Sequence, residues 1–345
     1  MKIITPISNV SELDMLLHNG ADELYCGLRT PEWDEIFGQG LWMNRRSPQQ
    51  ANLSSWEDLE KITTAAHNNS VKVSITLNAS FYPEKGIACI LKLCDRIVNQ
   101  ACVDALIVSD LNLLIALSKE KLPVRIHLSS LGSCFNSHSI DFYRSLGVDR
   151  IILPRQLTLP EIKSIVQANA DKMEFEVFAL NDGCYFEEGF CQTSHTLGAF
   201  CLTDWEIEAS SSLKTGPLKV GSLKTGSFKK NRSFSKNLDY CMTHYKEFLW
   251  FQNNCGSSFQ KDGLPNGPCS LCGFGHFRDW GVTAVKIVGR EASFHRKMGS
   301  LQLVKAVRDK TRNHTQNDRI KDYARDLRQT PEYCDSGYMC YFREA

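Results

Sequence analysis

The cysteines are the residues whose type and spacing most directly suggest chemistry. Cys269 and Cys272 form a C-x-x-C pair inside "PCSLCGFGHF", and upstream "NDGCYFEEGFCQTSHTLGAFC" supplies Cys184, Cys191 and Cys201. With Cys241 and Cys255, half of the 14 cysteines fall between residues 181 and 282. Thiolates are soft donors, and four of them can hold a tetrahedral zinc or an iron–sulfur cluster. A structural zinc site usually offers two close pairs, whereas here only Cys269 and Cys272 make one, so the spacing leans toward a cluster with zinc as the alternative. Cys26, Cys89, Cys94, Cys102 and Cys134 stand in strand, helix or loop contexts and are expected to be packed thiols.

A second group of candidates lies at the ends of short apolar runs. It comprises Arg29, Asn78, Asp110, His127 with Ser129, Arg155, Asn181 and Arg290. Any one of these residues can serve as a helix cap or bond loop backbone. Taken together, three arginines and a histidine at one mouth would suit a carboxylate or phosphate, because guanidinium groups offer forked donors.

Those positions matter because of the elements that carry them. Eight apolar runs, "KIITPI", "DELYCGL", "VKVSITLN", "DALIVSD", "VRIHLSS", "VDRIILPR", "MEFEVFAL" and "TAVKIVGR", read as buried parallel strands. Amphipathic stretches that open on Ser or Thr, such as "SWEDLEKITTAAHNNS" and "TLPEIKSIVQANA", separate them. Eight βα units predict a (β/α)₈ TIM-barrel-like single domain, with an open doubly wound sheet as the runner-up. In such a barrel the chemistry sits at the C-terminal strand ends. Residues 1–180 would supply seven units, 181–282 a cysteine-rich insertion, 283–310 the last unit and 311–345 a tail.

Composition narrows the class. A chain of 345 residues at 42% hydrophobic composition buries a sizeable core, and a formal net charge of +1 announces neither a nucleic-acid nor a membrane surface. No run of eighteen apolar residues appears, and "MKIITPISNV" is too soon polar for a signal peptide, so a soluble cytoplasmic protein without a membrane span is expected. In that compartment a disulfide framework is not expected. One local exception to the charge balance is "SSSLKTGPLKVGSLKTGSFKKNRSFSKN", 210–237, which repeats "SLKTG" and carries basic residues without an acidic one. It reads as a flexible insert, or as a basic arm for RNA phosphates.

Several stretches resemble the collagenase-like peptidase family of unassigned catalytic type, U32. They are "GADELYCG", "KVSITLNASF", "RIHLSSLGSCFNSHSIDFYRSLGVDRIILPRQLTLPEIKSI", "EVFALNDGCYFEEGFC" and "GVTAVKIVGR", in order across most of residues 1–310. The resemblance implies a barrel and, as in several members, an oxygen-sensitive [4Fe–4S] cluster held by four cysteines. It further implies oxygen-independent hydroxylation of RNA pyrimidines or of a ubiquinone precursor, with prephenate as the hydroxyl source. A partner protein of the same family is also implied. Cys184 and Cys191 match the first two ligands and Cys201 the third in order, while the fourth is one of Cys241, Cys255, Cys269 and Cys272. We take Cys269, with Cys272 beside it. Val288 and Gln156 stand where the family commonly has Glu, which argues against a carboxylate base at either position. The catalytic candidates are then Asn78, His127, Arg155 and Arg290.

The alternatives are a collagenase-like protease and a non-catalytic RNA-binding module with a structural metal site. Proteolysis needs an activated nucleophile or a zinc motif. H-E-x-x-H is absent, and only His127 with Ser129, Ser130 or Cys134 could compose a nucleophile and base. The tail "YCDSGYMCYFREA" adds Cys334 and Cys340, for which the sequence suggests only packing against the domain.

Overall fold

Eight strands alternate with helices and close on themselves in sequence order. They are β1 (Lys2–Pro6), β2 (Glu23–Cys26), β3 (Lys72–Leu77), β4 (Ala105–Val108), β5 (Arg125–Leu128), β6 (Arg150–Ile152), β7 (Glu174–Leu180) and β8 (Ala284–Ile287). Every neighbour is parallel, and β8 returns to β1 through the register Lys2↔Ala284 and Ile4↔Lys286. The expected barrel is therefore the observed one. The computed structural model describes residues 1–38, 41–46, 51–181, 268–313, 316–337 and 340–342. Cys184, Cys191, Cys201, Cys241, Cys255 and the basic segment 210–237 lie outside the described residues.

The helices start where short polar side chains satisfy their first amides. Thr30 caps α2 (Pro31–Phe37), Ser55 caps α3 (Trp56–Asn68) and Asp110 caps α5 (Leu111–Glu120). Asn136 caps α6 (Ser137–Ser145), and Thr158 with Glu161 forms a reciprocal capping box on α7 (Leu159–Asn169). The earlier α1 (Leu13–His18) and α4 (Glu84–Asp95) complete the first seven units. Before β8 runs α8 (Phe274–Trp280), the ordinary helix of a βα unit, and after it α9 (Phe294–Asn313). The tail continues as α10 (Asn317–Arg328) and α11 (Pro331–Asp335).

Strand alternation sorts the side chains into two cores. Leu24, Val73, Ile75, Leu106, Val108, Ile151, Phe175, Val177 and Val285 face the helices and form the large outer core. A smaller cluster inside the barrel contains Ile4, Tyr25, Ile107, Ile152, Phe178, Ala284 and Val288, with Tyr341 of the tail added. The interior is also charged. Arg150, fully buried on β6, donates to Glu23 on β2 at 2.6 and 3.0 Å, to Glu176 on β7 at 3.3 Å and to Glu174 at 2.9 Å. Lys286 on β8 closes the network by donating to Glu176 at 2.8 Å, with its ammonium 4.0 Å from the Tyr25 ring centroid. Each charge has a partner of opposite sign, which a dry barrel requires.

Candidate active site at the barrel mouth and a thiol-lined cavity beside it

Arg290 follows β8 by three residues and reaches across the mouth to the far side of the barrel. Its guanidinium donates to Thr76 Oγ1 at 2.8 Å, to Asn52 Oδ1 at 3.2 Å and to Asn44 Oδ1 at 2.9 Å. Asn44 in turn donates to Asn52 at 2.7 Å, and Thr76 to the Cys26 carbonyl at 3.0 Å, so the acceptors are themselves held. Arg290 is buried, and its three acceptors are all neutral oxygens. Burial first, and then the nearby Arg46 charge, bring its pKa down to about 10, which leaves it cationic at neutral pH. A buried cation solvated by amides and a hydroxyl, with no carboxylate bonded to it, keeps its field available to an anion.

The loop after β2 is shaped around this arginine. A Cβ placed on Gly27 would sit 1.9 Å from Asn52 Oδ1 and 2.2 Å from an Arg290 nitrogen, so only glycine lets these groups converge.

Arg155 lies on the other flank, buried, with its guanidinium 4.4 Å from the Phe178 ring centroid. Phe178 neighbours Tyr341 with ring centroids 6.1 Å apart, and the Tyr341 hydroxyl donates to the Asn181 carbonyl. Asn78 at the end of β3 donates to Ser129 Oγ at 3.3 Å, the hydroxyl that also caps the turn after β5. These groups share one end of the barrel, as expected.

Other strand-end candidates have structural work. Asp110 accepts from the amides of Leu113 at 2.7 Å and Tyr82 at 3.2 Å. Asn181, in the left-handed region at φ +68°, donates to Ser300 at 2.9 Å and accepts from Arg296. Arg29 leaves the mouth for an ion pair with Asp34 on α2 at 2.5 Å. His127 stands in register with Ile107 and, through it, with Thr76 of the Arg290 site. It is buried within the barrel, its Nε2 has no hydrogen-bond partner, and burial followed by the charges of Arg150, Arg125 and Lys286 holds it neutral. Where other histidine rings bond, they meet a carbonyl at His18, a carboxylate at His67 and an amide at His276. Among the described residues no Ser, Thr or Cys is paired with a histidine as nucleophile and base.

The thiols expected to be packed are buried at Cys26, Cys89, Cys94 and Cys134, but Cys102 is exposed, at φ +53° in the turn before β4. Cys269 and Cys272 have company that the sequence did not suggest. Cys269 bridges to Leu180 at the end of β7 and to Cys340 of the tail, and the Tyr341 amide donates to the Cys269 carbonyl at 3.1 Å. Cys269, Cys272, Cys334 and Cys340 all line one cavity of about 240 Å³ between α8, α10 and the tail. Burial, with the three other thiols adding to it, pushes the Cys272 thiol up to about 12. Among the described residues no three Cys, His, Asp or Glu side chains are grouped closely enough to hold one metal ion.

A closed parallel barrel with polar side chains gathered at the C-terminal strand ends is the architecture of a (β/α)₈ enzyme scaffold. Residues 8–216, more than half of the chain, match peptidase family U32, and the chain belongs to that family. It is 31% identical over 200 residues to an uncharacterized protease of Methanocaldococcus jannaschii, covering 57% of this chain and 44% of that one. Similarity to a collagenase of Porphyromonas gingivalis is 27% over 202 residues, covering 56% and 44%. Similarity to a 23S rRNA 5-hydroxycytidine synthase of Escherichia coli is 25% over 198 residues, covering 56% and 26%. The chain spans less than half the length of each of these relatives. Among the described residues no helix is long and apolar enough to cross a membrane.

Proposed function

We propose that the barrel mouth binds a small anionic substrate, with prephenate as the candidate, and that the protein acts in oxygen-independent hydroxylation of an RNA pyrimidine. The observation that supports the mouth as the binding site is Arg290, a buried cation whose acceptors are all neutral. Arg290 and Arg155 would hold carboxylates, and Asn78 with Ser129 would orient the ligand. The neighbouring Phe178 and Tyr341 rings, together with Val288, would exclude water from its apolar part. Support for RNA comes from the likeness to the 23S rRNA 5-hydroxycytidine synthase. A [4Fe–4S] cluster held by Cys184, Cys191, Cys201 and one of Cys241, Cys255, Cys269 and Cys272 would supply redox chemistry or Lewis acidity.

Titration calorimetry with prephenate tests the anion site. Arg290→Met should weaken binding about ten- to a hundredfold, the range of a hydrogen bond to a charged group. Arg290→Lys, which keeps the charge and loses the fork, should fall between Arg290→Met and the unaltered protein. Equal affinity in all three would remove Arg290 from the site.

A further inference from the structure

We propose that Cys269, Cys272, Cys334 and Cys340 are the ligands of a second iron–sulfur centre, separate from the cysteine set that begins at Cys184. It would leave Cys241 or Cys255 as the fourth ligand of the set in the proposed function, but it does not depend on that function.

Three observations carry the assignment. The first is convergence: four thiols from two distant stretches of chain line one cavity, and the Leu180–Cys269–Cys340 bridges fix its two sides against the end of β7. The second is size: the cavity that the four thiols line holds about 240 Å³. A zinc with sulfurs about 2.3 Å away would draw them around a single atom, whereas a polynuclear cluster needs room between its ligands.

The third is charge. Lys321, Arg325 and Arg328 of α10 line the same cavity, and no carboxylate does among its described lining residues. Four thiolates around a cluster carry net negative charge, and these cations offset it in a partly buried setting. Arg325 is oriented by Asp335 at 2.5 Å, from the turn that carries Cys334.

The position next to the barrel gives the centre a connection to the mouth. Cys340 lines the thiol cavity, while the next residue, Tyr341, packs on Phe178 and donates to the Asn181 carbonyl. A centre at these four thiols would pin the tail so that Tyr341 closes one side of the mouth.

The test is iron, sulfide and zinc content of the full chain purified without oxygen, for the unaltered protein and two variant pairs. Cys334→Ser/Cys340→Ser should lose about four irons and four sulfides, and should do so whether or not Cys184→Ser/Cys191→Ser is also present. Loss of iron only with Cys184→Ser/Cys191→Ser would overturn this assignment and leave the proposed function's cluster intact, and the reverse pattern would do the opposite. One zinc lost in place of iron would also overturn it. Should the first pair fail to fold, alkylation of the unaltered protein decides. Cys334 and Cys340 should resist iodoacetamide until the iron is stripped, and immediate labelling of both contradicts the assignment. Exposed Cys102 should label throughout.

Discussion

At the residue scale the mouth depends on a close approach that one hydrogen atom permits. Gly27 is the place where a methyl group would strike Asn52 and Arg290 together. Gly27→Ala should therefore dislodge Arg290 from its three acceptors and lower stability by about 1–3 kcal/mol, as overpacking does. Ligand affinity should drop further than the stability loss explains, and urea unfolding with a parallel titration separates the two effects. His127 makes a different prediction. Its folded pKa lies well below the ordinary value, so near pH 6.5 and below only the unfolded chain takes up the proton. Stability should fall as pH falls through that range, by up to about 1.4 kcal/mol per pH unit from this group. His127→Leu should flatten that slope between pH 6.5 and 5, and an unchanged slope would place the titrating group elsewhere.

At the element scale the barrel interior is held by charges that interrupt otherwise apolar strands. Glu23, Arg150, Glu176 and Lys286 were visible as polar letters in "DELYCGL", "VDRIILPR", "MEFEVFAL" and "TAVKIVGR". Periodicity alone could not say that they face one another, because their pairing depends on ring closure and register. Burial alone would raise the Glu23 pKa, but the hydrogen bonds and charges of Arg150 and then Lys2 override it and hold it at about 2. The stability this gives is present above the usual carboxylate pKa and is lost as pH falls toward 2. Arg150→Ala should cost up to about 3–5 kcal/mol, since it takes a shared cation from two buried carboxylates and leaves Glu23 with Lys2 and Glu176 with Lys286. Arg150→Met combined with Glu23→Gln should recover part of that loss, because Glu176 keeps its pairing with Lys286. Thermal or urea unfolding of the two variants checks the ordering, and a single variant within 1 kcal/mol of the unaltered protein (about the scale of exposed pairs) would show the network to be solvated.

At the scale of the whole molecule, the closed barrel could be read from the sequence because buried parallel strands are apolar runs and their helices begin at Ser, Thr, Asp or Asn caps. The mouth was legible in part. The strand-end positions of Arg290, Arg155 and Asn78 follow from the barrel pattern, whereas the ion pair of Arg29 to α2 and the burial of His127 on the inward face of β5 are tertiary facts that periodicity does not carry. The thiol cavity was half legible: the C-x-x-C pair is local, but Cys334 and Cys340 reach it only through the packing of α10 and the return of the tail to β7.

The central claim, that this family member acts in RNA hydroxylation through the barrel mouth, is tested most directly by nucleoside mass spectrometry. RNA would be taken from cells that lack the gene and from the same cells, grown without oxygen, complemented with the unaltered chain, with Arg290→Met, or with Cys184→Ala/Cys191→Ala. One pyrimidine should lose an added oxygen in the deletion, regain it with the unaltered chain and fail to regain it with either variant. RNA identical in the deletion and the parent, or full restoration by both variants, would contradict it.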